Sequence, residues 1–281
     1  FKLKEKNKPN LKIWKDIVNK INTKREKISI AIVGKYVDLK DAYKSLDEAL
    51  IHGSLSNNVD LNTEWVDSTK ISKKNVINIL GKYSAILIPG GFGSRGTEGK
   101  IEAIAYARKY KVPFFGICFG MQMAVIEAAR NILGLKKATS SEFSDSGIHV
   151  VGLMNEWVVG KKIQKGSKKN LGGTMRLGSY KAKLKKNTLI NKIYKSNLIN
   201  ERHRHRYEVN KKLKSKLEKK GLVFSGFSPD GSLPETIELE NHPWFIGVQF
   251  HPEFKSRPFA PHPLFSSFIK AAKNNSEKTD D

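Results

Sequence analysis

The segment Gly116-Ile117-Cys118-Phe119-Gly120 constrains this chain more than any other. It has the form G-x-C-x-G and stands between an apolar run at 112–117 and a helix-patterned stretch at 119–132. A residue at the tip of a sharp strand-to-helix turn is held in a strained backbone conformation. A side chain at either flanking glycine would crowd that turn. This is the layout of a nucleophile elbow with sulfur in place of oxygen. It projects the thiol at the carboxyl edge of a sheet and aims the amide dipoles of a helix start at the sulfur. A small cysteine packed in a core would satisfy the same pattern. Cys118 is the sole cysteine, so no internal disulfide can form, which fits a reducing, cytoplasmic compartment.

Around the elbow, apolar runs alternate with helical periodicity. Residues 28–33, 59–66, 85–88 and 112–117 read as strands, and 41–55, 74–80, 97–110 and 119–132 as helices. Such alternation predicts an α/β fold with a doubly wound, mostly parallel sheet and flanking helices. Ligands bind at the carboxyl ends of the strands in such folds. From about residue 150 the texture turns β-rich. Segments 150–154, 180–184, 223–228, 235–240 and 245–250 predict strands, several of them antiparallel, which adds an antiparallel β region. Residues 160–179 are rich in Gly and Lys and predict a mobile loop.

At the N-terminus, residues 1–25 read as a polar linker leading into an amphipathic helix with Leu11, Trp14, Ile17, Val18 and Ile21 on one stripe. A last helix is expected at 263–273 and a polar tail at 274–281. The 281 residues, 39% hydrophobic, suffice for one sizeable core spanning 26–273. No apolar run is long enough to cross a bilayer. FKLKEKNKPN has no apolar h-region, so it does not read as a secretory signal. A start at Phe1 reads as a piece of something longer or a processed product.

The net charge is +24, and it is uneven: residues 161–220 hold 21 Lys/Arg against 3 Asp/Glu. A basic block of this kind can attract nucleic acid or phosphorylated ligands. Only 9 of the 51 basic residues are Arg, however, and phosphate recognition favours Arg forks. No platform of interleaved aromatic and basic residues is present, so a nucleic-acid-binding protein is the weaker reading. Lys-rich solvated surface accounts for most of this charge.

A thiol nucleophile needs an oxyanion site, a base and a group that orients the base. Gly90-Gly91-Phe92-Gly93 follows the strand at 85–88, and a glycine turn there leaves backbone N–H groups free to face an anion. With the Phe119 N–H it can form an oxyanion hole; a plain tight turn would look the same. The turn lacks the G-x-G-x-x-G spacing of a dinucleotide site. His251-Pro252-Glu253 follows the last strand, and Pro252 favours an extended His251. Residues two apart in an extended chain face one side, so Glu253 can accept from the His251 ring. His203, His205 and His242 compete as bases without this arrangement. No metal-type Cys/His spacing occurs.

Together GICFGMQ (116–122), PGGFG (89–93) and QFHPEF (249–254) resemble the class I (triad) glutamine amidotransferases. The narrower resemblance is to the amidotransferase domains of the CTP synthase family. It rests on GKYV (34–37), DAYKS (41–45), SEF (141–143), LGGTMRLG (171–178), ERHRHRYE (201–208) and NHPWF (241–245). The resemblance implies roles by position. Cys118 attacks the amide of L-glutamine and forms a thioester. Gly91 and Phe119 supply the oxyanion N–H groups, His251 moves the protons and Glu253 orients it. Gly91, Phe119, Gly120, Met121, Gln122, Glu142 and Arg206 bind glutamine, Arg206 suiting an α-carboxylate and Glu142 an α-ammonium.

The sequence departs from the family at Phe119, where Leu is common; altered packing with retained activity is expected. The family also carries a synthetase domain that uses Mg-ATP and UTP, and no G-x-x-x-x-G-K-[ST] loop occurs here. The resemblance thus implies an amidotransferase half at 26–273 preceded by a linker from that absent domain, with no cofactor of its own. It also implies GTP as an allosteric activator near 171–178 and a homotetrameric full-length protein. Another triad amidotransferase or a γ-glutamyl hydrolase is the alternative.

Overall fold

The computed structural model describes residues 9–35, 43–153, 156–159, 162–165 and 175–278. Helix α1 (Lys12–Asn22) precedes β1 (Glu26–Gly34), α2 (Lys44–Ser56), β2 (Val59–Asp67), α3 (Val76–Leu80) and β3 (Ala85–Ile88). Then come α4 (Thr97–Tyr110), β4 (Phe114–Ile117) and α5 (Phe119–Asn131). The second half holds β5 (Ala138–Ser140), β6 (Ile148–Leu153), β7 (Glu156–Val159), β8 (Lys162–Lys165), β9 (Arg176–Leu184), α6 (Leu189–Tyr194) and β10 (Leu198–His205). It ends with β11 (Tyr207–Val209), α7 (Lys214–Glu218), β12 (Leu222–Phe227), β13 (Pro234–Leu239), β14 (Phe245–Val248) and α8 (Pro263–Ser276).

Nine strands form one sheet in the order β10-β9-β12-β13-β14-β4-β3-β1-β2. From β14 to β2 all neighbours are parallel; from β10 to β14 all are antiparallel. The expected doubly wound sheet and the antiparallel region are therefore two halves of one sheet. Small sheets β11-β6-β5 and β7-β8 lie apart from it. Period-two alternation sends residues of each parallel strand to opposite faces. Ala31, Val33, Ile86, Ile88 and Phe114 pack with α4 and α5 in one core cluster. Ile30, Ile32, Leu87, Phe115 and Ile117 pack with α2 and α8 in the other. Burial on both faces is why these strands read as continuous apolar runs.

Two expectations are corrected. The segment 160–179 is not all loop: Lys162–Lys165 pairs with β7, and β9 begins at Arg176. Residues 160, 161 and 166–174 lie outside the described residues. The tail expected from residue 274 begins later, because α8 continues to Ser276. His262 caps that helix, its ring accepting from the Leu264 N–H, with Pro263 in the first turn where no N–H is required. The helix at the N-terminus forms as expected, but none of its residues is buried; Trp14 meets the Phe259 ring edge-on at 4.3 Å. Among the described residues, no helix is long and apolar enough to cross a membrane.

The turn joining β4 to α5 places Cys118 at φ 51°, a left-handed conformation for a non-glycine residue. Its N–H donates to the Val248 carbonyl at 2.7 Å, which ties the turn to the end of β14. A Cβ on Gly116 would sit 2.8 Å from the Gly120 backbone, and one on Gly120 would sit 2.2 Å from the Ile88 carbonyl oxygen. The two glycines are thus steric requirements of the elbow. Gly120→Ala is expected to destabilise the fold by about 2–4 kcal/mol, because its clash is with backbone that cannot swing away. Urea unfolding of the variant against wild type checks this; unchanged stability would contradict the packing.

Candidate functional site

Strands β3, β4 and β14 lie side by side and parallel, so the segments that follow them converge at one edge. Those segments carry the glycine turn, Cys118 and His251. A cleft of about 720 Å³ opens there, lined among others by Gly91, Cys118, Gln122, Glu142, Arg206 and His251. Cys118 is 4% exposed at its floor.

The His251 backbone N–H donates to the Arg202 carbonyl on β10 at 2.8 Å, and its ring stacks on Phe254. Nδ1 lies 2.7 Å from Glu253 Oε1. That contact assigns the Nδ1 proton to the carboxylate hydrogen bond and leaves Nε2 for chemistry. The ring is also within hydrogen-bonding reach of the Cys118 thiol. Burial opposes charge on this imidazole, but the Cys118 sulfur and the Glu253 carboxylate outweigh it, and its pKa stands well above the ordinary histidine value. Gly90 packs against the same ring: a Cβ there would lie 2.7 Å from Cε1. The sequence-predicted trio is therefore brought together, with the glycine turn against it.

The competing histidines are engaged elsewhere. His242 faces the Ala107 carbonyl at 3.1 Å, and burial pulls its pKa down to about 4. His203 and His205 contact each other, Nδ1 to Nε2 at 2.9 Å, and burial likewise lowers both. His205 reaches the cleft wall; His203 does not.

Of the residues expected to hold a ligand, Gly91, Gln122, Glu142 and Arg206 line the cleft. Phe119 and Met121 are buried in a hydrophobic cluster, so the groups they can offer are backbone amides. The Phe119 ring packs edge-on to Phe143 at 5.8 Å, with the Lys100 ammonium 5.2 Å over it. Gly120 packs on the β3 backbone. Glu142 Oε1 accepts from the Gly93 N–H at 2.6 Å. Burial raises the Glu142 pKa, opposed by that N–H and by Lys35, so a cation docking there would favour its charged form.

Sequence reasoning missed several participants. Gln249 is fully buried, and its Nε2 lies 3.7 Å from Cys118 Sγ. Its place two residues before His251 was the available signal. Arg176, 2% exposed, binds Glu208 Oε1 at 3.0 Å and Glu235 Oε1 at 2.7 Å. This buried bridge fastens the start of β9 to the segment after Arg206. Among the described residues, no group of three or more His, Cys, Asp or Glu side chains is arranged to hold a metal ion.

Comparison with known proteins gives a consistent picture. The family Glutamine amidotransferase class-I matches residues 38–271. The chain is 66% identical over 276 residues to the CTP synthase of Pelagibacter ubique (strain HTCC1062), covering 98% of this chain and 51% of that protein. It is 60% identical over 266 residues to the CTP synthase of Rhizobium meliloti (strain 1021), covering 94% and 49%. The chain thus spans about half the length of the curated relatives it matches. Among solved structures, the glutaminase domain of Trypanosoma brucei CTPS with bound acivicin superposes with a TM-score of 0.78 at 37% identity, covering 88% of this chain and 94% of that one.

The electrostatics make one prediction. Glu253 helps hold the His251 pKa up, so Glu253→Gln should move its titration to lower pH. The stability linked to it has a definite sign. With the folded value above the unfolded one of about 6.5, protonated His251 contributes its full stabilisation below about pH 6.5. That contribution is lost as pH rises through the folded value. NMR titration of the His251 ring protons in both proteins checks the shift; an unmoved or raised midpoint in the variant would contradict it.

Proposed function

Because the chain belongs to the class I glutamine amidotransferases, and within them to the glutaminase domains of the CTP synthases, we propose that it hydrolyses L-glutamine and delivers the ammonia to a synthetase half. The observation that carries this reading is the Cys118–His251–Glu253 alignment beyond the ends of the adjoining strands β4 and β14.

In this reading Cys118 Sγ attacks the side-chain carboxamide carbon of glutamine. The carbonyl oxygen takes up negative charge, and the N–H groups of Gly91 and Phe119 receive it. His251 then protonates the departing nitrogen, ammonia leaves and a glutamyl thioester remains. A water deprotonated by His251 attacks the thioester, and glutamate and the thiolate are released. Glu253 keeps Nε2 of His251 turned to the reacting atoms throughout.

Arg206 would pair with the substrate α-carboxylate and Glu142 with its α-ammonium, which supplies the cation that the buried Glu142 favours. The backbone of Gly120 and Met121 and the side chain of Gln122 complete the pocket floor.

The ammonia would aminate UTP at the expense of Mg-ATP on the synthetase half, with no cofactor held by this chain. GTP would act as an activator near 171–178. Arg176 of that segment is engaged by Glu208 and Glu235. The full-length protein would be a cytoplasmic homotetramer.

Cys118→Ala and Cys118→Ser are expected to lower glutamine-dependent ammonia release by more than about 10³-fold while the circular dichroism spectrum is kept. Ammonia release by Cys118→Ala at the wild-type rate would refute the assignment. The isolated chain should also form no CTP from UTP, ATP and either glutamine or ammonia, as assayed by chromatography. CTP formed by this chain alone would show that the two halves are wrongly divided.

A further inference from the structure

Gln249 lies outside the triad and outside the residues assigned to glutamine, yet its side chain touches the nucleophile. It is fully buried just beyond β14, and its backbone N–H donates to the Glu235 carbonyl at 2.9 Å. Its Nε2 stands 3.7 Å from Cys118 Sγ, within range of an N–H···S hydrogen bond. Two neighbours fix which end of the amide faces the sulfur. The Tyr207 carbonyl can only accept, so the Gln122 atom 2.9 Å from it is Nε2. The same Nε2 donates to Gln249 at 3.2 Å, so the receiving atom is Oε1. The Gln249 amide is thereby turned with its N–H donors on the sulfur.

We propose that Gln249 is a further catalytic residue, oriented through Gln122, whose N–H stabilises Cys118 sulfur as an anion and holds it aimed into the cleft. The inference rests on the glutaminase reading above and deepens it. A neutral thiol is a weak acceptor, whereas a thiolate makes a charge-assisted bond. A buried amide donor facing sulfur therefore favours the charged form. The same donor serves twice. Before attack it stabilises the nucleophile beside the His251 imidazolium. In deacylation, water adds to the thioester carbonyl and His251 takes its proton. The C–S bond then breaks with its electron pair passing to sulfur, which again accepts the Gln249 N–H. Gln122 also links this donor to Tyr207, the residue after Arg206, so one amide chain joins the nucleophile to the turn assigned to the substrate carboxylate.

Chloroacetamide tests this, because it alkylates the thiol without needing the glutamine subsite. The rate at Cys118 is followed by mass spectrometry from pH 6 to 9 in wild type and Gln249→Met, with unfolding curves as the control for folding. We expect alkylation about tenfold slower at pH 7 and a pH profile displaced to higher pH. Gln249→Glu keeps the volume and replaces the donor by a carboxylate oxygen; it should be at least as slow, and it serves as the test if the Met variant folds poorly. A rate within threefold of wild type, or a slower rate with an unmoved profile, overturns the proposal. Failure of wild type to release ammonia from glutamine would instead overturn the functional reading, leaving the alkylation comparison to judge Gln249 separately.

Discussion

The site depends on one backbone conformation. Cys118 sits at φ 51° because β4 must turn into α5 within a single residue. A non-glycine residue in such a region costs about 1–3 kcal/mol and persists only where the surroundings over-determine it. Here they do. The Cys118 N–H is held by the Val248 carbonyl, the strand before it is wholly buried, and Gly116 and Gly120 bring helix and sheet backbones into contact. Burying two faces of apolar strand supplies the free energy that keeps the turn strained. In exchange the sulfur stands at a helix start, beside an imidazole delivered by the neighbouring strand.

The second half of the sheet shapes the site from the other side. Strand β10 offers the Arg202 carbonyl to the His251 N–H and ends at His205, next to Arg206. Three of its four inward residues, Glu201, His203 and His205, are polar and buried. Glu201 accepts from Tyr194 OH and contacts His262 Nε2 at 3.2 Å, while His203 and His205 lie against Arg176, Glu208 and Glu235. Removing one member of such a cluster would strand the others without compensation. The strand that carries this cluster meets His251 through one backbone contact, the Arg202 carbonyl.

The same contrast explains what the sequence could reveal. The central parallel strands were readable because they bury apolar residues on both faces, so 85–88 and 97–110 coincide with β3 and α4. The trio was readable because Cys118 follows β4, and His251 and Glu253 follow β14, beyond strand ends where chemistry-bearing residues gather in such sheets. Strand β10 was not, because its burial alternates perfectly while its buried residues are Ile, Glu, His and His. Hydropathy cannot register an inward face made of polar side chains that find their partners on other elements. Arg176 was hidden for a related reason. In a chain carrying 51 basic residues, one guanidinium that belongs inside looks like all those that belong outside. Gln249 was hidden because a neutral amide acquires meaning only from the atoms it faces.

The glycine turn joins recognition to chemistry. Gly93 donates its N–H to Glu142 at 2.6 Å, and Phe92 offers its carbonyl to the Lys35 ammonium. The turn that carries Gly91 is thus gripped on one flank by a carboxylate on the cleft wall and on the other by a lysine at the end of β1. A ligand ammonium reaching Glu142 would favour its ionised form, and an ionised carboxylate holds the Gly93 N–H more strongly than a neutral one. Occupying the far end of the ligand pocket would therefore firm the turn at the near end, where the proposed mechanism receives an oxyanion. Phe119 fits this scheme: its ring fills the core behind the turn, against Phe143 next to Glu142, and leaves its backbone amide as the group that can meet a substrate.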